Sequence, residues 1–214
     1  MKKYSIILLL SIVFGITSAQ TNLEMANEAF AAKEYTTALD LFNKVLKKPM
    51  KGTDLADLKF KVAECYRYNG KYDDAITWYN QAKAEGYSSP NYLFHQGNIY
   101  LKQGKYDDAQ KKFESFLTAV PNDKDATRLL NNCMFAKSVA MEPSVYTFKN
   151  EKDLNTTYND YAAAPVSSQV VFSSSRIEDK TDKVYSYDGQ GFSGLYQAAY
   201  SKDAKTWSKA TGIA

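Results

Sequence analysis

Gly70-Lys71-Tyr72-Asp73-Asp74-Ala75 recurs unchanged as Gly104-Lys105-Tyr106-Asp107-Asp108-Ala109, 34 residues further on. Lys33-Glu34-Tyr35-Thr36-Thr37-Ala38 is a looser copy, 37 residues before the first. A period of this length marks a stacked-repeat architecture. Agreement extends beyond the hexapeptide: Ala63, Tyr66, Tyr79 and Ala82 correspond to Gly97, Tyr100, Phe113 and Phe116. Tyr35, Ala38, Phe42, Val45 and Leu46 take the same register, and Pro49 and Pro121 close the first and third copies. Ala75, Tyr79 and Ala82 are spaced 4 then 3, which is one helix face. Gly70 and Gly104 fall where a first helix must end, because glycine accepts the left-handed C′ conformation. Asp73-Asp74 and Asp107-Asp108 open a second helix at the positive end of its macrodipole. The unit expected is a helix–turn–helix hairpin that buries its open face against the next.

The N-terminus is read separately. Lys2 and Lys3 precede an apolar run from Ile6 to Ile16, and Thr17-Ser18-Ala19 supplies small residues before a cut at Gln20. This is the layout of a secretory leader over residues 1–19, too short for a membrane span. No cysteine follows the run, so a lipoprotein cleavage site is not expected. The formal net charge of +3 falls to +1 once Lys2 and Lys3 leave with the leader. A charge so close to neutral argues against a nucleic-acid partner, which normally needs a basic face.

The repeated positions resemble the tetratricopeptide repeat. A small residue at position 8, Tyr at 11, Gly at 15, Tyr at 17, Ala at 20, an aromatic at 24 and Pro at 32 agree over Asn22–Pro121. Position 4 departs, with Lys59 and Leu93, and the first copy lacks the glycine, so its start is expected to be frayed or recruited elsewhere. The resemblance implies an all-α solenoid over residues 20–140, closed by a capping helix from Asp123 to Ala140 with Asn122 or Asp123 as its cap. It also implies a protein-binding groove on the first helices: Asp57, Phe60, Glu64, Arg67 and Tyr68, then Asn91, Phe94, Asn98, Leu101 and Lys102, continued by Arg128 and Asn132. Substituting Phe60 and Arg67 together is expected to abolish partner capture and leave the melting temperature nearly unchanged. Cys65 and Cys133 both fall at position 10, two repeats apart. Such positions lie on the order of 20 Å apart by helix diameters, beyond disulfide reach, so both read as buried free thiols.

From Met141 the composition changes, and Pro143 breaks the helix. Gln169–Ser173, Gly194–Tyr200 and Thr206–Lys209 read as strands, with loops at Asp153–Asp160 and Asp188–Gly194. The stretch LNTTYNDYAAAPVSSQVVFSSSR followed by GQGFSGLYQAAYSKDAKTWSKA resembles a blade of WD-like β-propeller repeats in bacterial envelope proteins, over Leu154–Ala210. The fold class expected is therefore multidomain, a helical solenoid followed by an all-β segment at 141–214 that resembles one propeller blade. One blade does not close a propeller, so further blades are expected beyond Ala214.

Leader, repeats and blade together are similar to OmpA-family envelope proteins, and within them to the PorE-like group associated with type IX secretion. That implies a non-enzymatic periplasmic scaffold near the outer membrane. Its protein partners would bind through the groove, and peptidoglycan only through a domain outside this chain. No cofactor is expected. His95 is the lone histidine and reads as a packing or surface residue, the serines lack a G-x-S-x-G elbow, and Gly189-x-Gly191 lacks a strand–helix context. Asn155-Thr156-Thr157 fits a glycosylation acceptor, a pattern short enough to arise by chance. The alternatives are a solute- or glycan-binding propeller protein, or a hydrolase whose catalytic domain lies elsewhere.

Overall fold

The computed structural model describes residues 22–141, 147, 149–179 and 181–213. The leader over 1–19 and Pro143 lie outside the described residues. The chain divides into two units, Met1–Pro143 and Ser144–Ala214.

The first unit is helical. Helix α1 is described over residues 22–31, followed by α2 (Tyr35–Val45), α3 (Thr53–Tyr68), α4 (Tyr72–Ala84), α5 (Asn91–Lys102), α6 (Tyr106–Ala119) and α7 (Lys124–Ala140). Helices α3 and α4 form one hairpin, α5 and α6 the next, and α7 packs on α6. Ala63, Ala75, Tyr79 and Ile99 form one buried cluster. Ala109, Phe113 and Cys133 form another, into which Leu129 and Leu130 of α7 pack. Small residues allow this close approach. A Cβ on Gly97 would sit 2.7 Å from the Phe113 ring, so α5 meets α6 closely only because position 97 carries no side chain.

The hexapeptide is the hinge of each hairpin. Gly70 (φ +70°) donates its N–H to the Arg67 carbonyl at 3.2 Å, and Lys71 donates to Tyr66 at 2.9 Å. Gly104 (φ +72°) and Lys105 repeat this with Leu101 and Tyr100, at 3.1 and 2.9 Å. Both are Schellman closures. Asp73, Asp74, Asp107 and Asp108 stand in the first turns of the helices that follow. Asp123 caps α7 by accepting from the Ala126 N–H at 2.8 Å.

The first hairpin corrects one expectation. Its turn closes like the others although it has no glycine: Lys33 takes φ +63°, donating to Phe30 at 3.0 Å, and Glu34 donates to Ala29 at 2.9 Å. The backbone pattern is set by the hairpin, and lysine tolerates it at a cost. Lys33→Gly is expected to raise the unfolding free energy by about 0.5–1 kcal/mol in urea denaturation, because glycine removes left-handed strain but frees the unfolded chain. At position 4, Lys59 pairs with Glu85 at 2.7 Å. Polar bridging there takes the place of ring packing.

The second unit is an antiparallel sheet of β1 (Asp160–Val166), β2 (Gln169–Ser174), β3 (Gly194–Ser201), β4 (Thr206–Trp207) and β5 (Thr211–Gly212). The order is β1-β2-β3-β4, and β5 also pairs with β3. One face buries Val170, Phe172, Tyr196, Ala198 and Ala210, with Leu154 and Trp207 packed against them. Strands β1 and β5 are additions to the strands expected from sequence, and β4 ends at Trp207, short of Lys209. The Ala-Ala-Ala-Pro content of β1 has low strand propensity, and its register shifts between Tyr161 and Ala164. Pro165 is accommodated because β1 is an edge strand.

Candidate functional site

Phe60, Glu64 and Arg67 lie four and then three residues apart on α3 and so share one stripe, with Tyr68 beside it. The stripe is organised around a charge. Glu64 is 6% exposed. Arg67 reaches it with two hydrogen bonds, Nε to Oε1 at 3.0 Å and Nη2 to Oε2 at 2.5 Å. Tyr79 of α4 donates its hydroxyl to Glu64 Oε1. His95 of α5 brings Nε2 within 3.7 Å of the same oxygen. Three helices of two repeats thus meet at one carboxylate.

The ionisation states follow from this packing. Burial alone would raise the Glu64 carboxyl, but the Arg67 hydrogen bonds, with His95 and Tyr79, hold it below its ordinary value. Burial, then the Glu64 charge, pushes the Tyr79 hydroxyl far above its usual range. Burial lowers His95, against the pull of Glu64, so the imidazole is neutral at pH 7. Burial, then Glu64, pushes the Cys65 thiol up to about 12, which leaves it protonated and unreactive.

Rings flank the charge. The Arg67 guanidinium lies 4.0 Å from the Tyr68 ring centroid, and Tyr68 stacks on Tyr35 at 4.0 Å. Phe60 stacks on Tyr87 at 4.3 Å. Phe94 of α5 packs 5.3 Å from Phe116 and 5.8 Å from His95. Asn98 donates Nδ2 to the Phe94 carbonyl at 2.9 Å, and Leu101 is half-buried. The structure therefore draws Phe60, Arg67, Tyr68 and Phe94 together over the buried Glu64, with His95 linking the two phenylalanines. Asp57 on α3, Asn91 and Lys102 on α5, and Arg128 and Asn132 on α7 are exposed. Arg128 pairs with Asp125 at 3.0 Å.

Sequence reasoning missed several members. Tyr79, His95 and Tyr87 come from neighbouring helices and turns, and no spacing within α3 points to them. Phe135 had a usable signal: it lies three residues beyond Asn132 and seven beyond Arg128, and it is 71% exposed. One expectation is overturned. Removing Arg67 and Phe60 together cannot leave stability unchanged, because Arg67 neutralises a buried carboxylate and Phe60 packs against the Tyr79 cluster.

The sheet unit carries its own polar knot. Asp160 accepts from Ser174 Oγ at 2.6 Å, from Thr156 N–H at 2.6 Å and from Arg176 Nη2 at 2.9 Å. Arg176 lies over Phe172 and Tyr196 at 5.2 and 4.6 Å. A hollow of about 560 Å³ opens beside it, lined by Tyr158, Glu178 and Lys209 among others. With Arg176 committed to Asp160, that hollow presents no free guanidinium. Among the described residues no helix is long and apolar enough to cross a membrane, and no cluster of three or more His, Cys, Asp or Glu is placed to hold a metal.

Comparison with known proteins agrees on the helical unit. Residues 31–116 match the family model described as anaphase-promoting complex, cyclosome, subunit 3. No curated protein sequence matches the chain. Among solved structures, MamA is similar with 16% identity and a TM-score of 0.51, over 56% of this chain and 64% of that one. The UNC-45 chaperone, whose structure is described as showing molecular features critical for binding and folding muscle myosin, is similar with 18% identity and a TM-score of 0.51, over 57% of this chain and 14% of that one. The first tetratricopeptide domain of Spaghetti (RPAP3), bound to the HSP90 peptide SRMEEVD, is 24% identical with a TM-score of 0.48, over 56% of this chain and 95% of that one. These likenesses concern the helical fold, which is a tetratricopeptide-type solenoid.

Proposed function

We propose that the chain is a non-enzymatic scaffold of the bacterial periplasm, associated with the outer membrane, that holds protein partners on the shared face of α3, α5 and α7. The carrying observation is the ring-flanked surface built on Phe60, Tyr68 and Phe94 around a neutralised Glu64. Solenoids of this kind present extended binding surfaces. The same arrangement argues against catalysis: Glu64 is saturated by Arg67 and Tyr79, and the Cys65 thiol is held protonated. The leader at 1–19 supports export. The blade-like sheet supports kinship with OmpA-family, PorE-like components of type IX secretion, with peptidoglycan contact delegated to a domain outside these residues.

The test places the photoreactive residue benzoylphenylalanine at Lys102 or Asn132, both exposed on the proposed face, or at Lys111 on α6. Irradiation of native cells should give protein adducts from the first two positions and none from Lys111, in the periplasmic or outer-membrane fraction. Equal adducts from all three positions, or none from any, would refute the groove. Adducts confined to the cytoplasmic fraction would refute the location.

A further inference from the structure

We propose that this face takes an uncharged segment in the polyproline II conformation, with an apolar side chain at every third residue. The inference rests on the groove reading and names the chemistry of its occupant.

Charge is the first argument. Glu64 and Arg67 cancel each other, Arg128 is paired with Asp125, and Asp57 and Lys102 are opposite in sign. The face is therefore close to neutral, and its half-buried Arg67 guanidinium is already spent on Glu64. An acidic peptide would have to displace Glu64 from Arg67, leaving a buried carboxylate unpaired.

Spacing is the second. Phe60 and Phe94 occupy equivalent places one repeat apart, as do Leu101 and Phe135. Each of these two rows thus sets apolar side chains on two successive first helices, α3 and α5 in one and α5 and α7 in the other, and packed helix axes are about 8–10 Å apart. Polyproline II advances about 9 Å in its three-residue turn, so one side chain in three meets one repeat. A β-strand returns to the same face after about 7 Å and falls out of step.

The polar groups between the rings are the third. Glu64, Asn98 and Asn132 are also equivalent by register and run between the two apolar rows. That row interrupts the continuous trough an amphipathic helix would require. It suits a polyproline II backbone, which has no internal hydrogen bonds and leaves its carbonyls open to amide donors such as Asn132.

The experiment measures fluorescence anisotropy of the purified full chain with four labelled twelve-residue peptides. These are an end-capped Pro-Pro-Leu repeat, a capped alternating Leu-Thr peptide, a capped Ala-based helical peptide bearing Leu on one face, and an acidic peptide with a free C-terminal carboxylate. The Pro-Pro-Leu peptide should bind with Kd on the order of 10–100 μM and change less than about twofold between low and high salt. Phe135→Ala and Asn132→Ala, both at exposed positions, should each weaken it by about tenfold without altering the melting temperature. Tighter, salt-sensitive binding of the acidic peptide overturns the proposal. Tighter binding of the strand or helix peptide that depends on Phe135 also overturns it, but leaves the groove standing. Binding of no peptide at millimolar concentration overturns it too, whereas the groove itself stands or falls by the cross-linking above.

Discussion

Replacing Arg67 by alanine lowers the unfolding free energy of the helical unit by about 3–5 kcal/mol, the expected cost of leaving a buried carboxylate without its partner. Glu64 is 6% exposed and takes both guanidinium hydrogen bonds. Tyr79 still donates to it in the variant, but the opposite charge is gone. The carboxylate then favours protonation, which reverses the pH response. In the native chain Glu64 titrates below its unfolded value, so its contribution is present above about pH 4.3 and is lost as pH falls through the folded value. His95 also titrates below its unfolded value, and its contribution fades as pH falls below about 6.5. In Arg67→Ala the Glu64 value rises above 4.3, so acidification should restore part of the lost stability. Arg67→Ala combined with Glu64→Gln keeps an acceptor for Tyr79 and removes the charge, and should recover about 2 kcal/mol. Urea denaturation at pH 7.5 and 5 measures all three chains. An Arg67→Ala loss below 1 kcal/mol, or no gain from Glu64→Gln, would show that the ion pair is incidental.

The helical unit is legible from sequence because its signal repeats. Each hinge glycine, each small residue at the hairpin contact and each Asp pair occurs at a fixed period, and local chemistry explains each one. Lys33 was opaque for the opposite reason: the turn imposes its conformation on a residue that does not advertise it. The candidate face was legible only within single helices. Phe60, Glu64 and Arg67 can be read off one stripe, but the convergence of Tyr79 and His95 on Glu64 is tertiary. In the sheet, residue composition revealed β2 and β3, whereas β1 forms despite its alanines and proline because its neighbour supplies the pairing. The Tyr-x-Asp-Tyr-Ala and Ser-Ser-Ser-Arg segments were visible as a pattern, and the structure supplies the cause: Asp160, Ser174 and Arg176 join across the two strands.

That junction carries the second large effect. Asp160→Ala should lower the stability of the sheet unit by about 3–5 kcal/mol, because Arg176, with a side chain only 12% exposed, loses its counter-charge. Arg176 keeps the Leu154 carbonyl at 2.9 Å and Ser174 Oγ at 2.8 Å, neither of which is charged. Thr156 and Ser174 lose their acceptor as well. Asp160→Asn preserves part of the hydrogen bonding but none of the charge, and should fall between the two. The acid response separates this unit from the helical one. Burial would raise the Asp160 carboxyl, but Ser174, Thr156 and Arg176 hold it down at about 2. Its contribution is therefore present above about pH 3.9 and is lost only as pH falls toward 2, whereas His95 begins to cost the helical unit stability below about 6.5. Calorimetry from pH 7 to pH 3 should show the helical transition moving down first while the sheet transition holds, and Asp160→Ala should lower the sheet transition alone. A single transition that shifts as one in both chains would mean that the units unfold together and that this charge pair does not set the stability of the sheet.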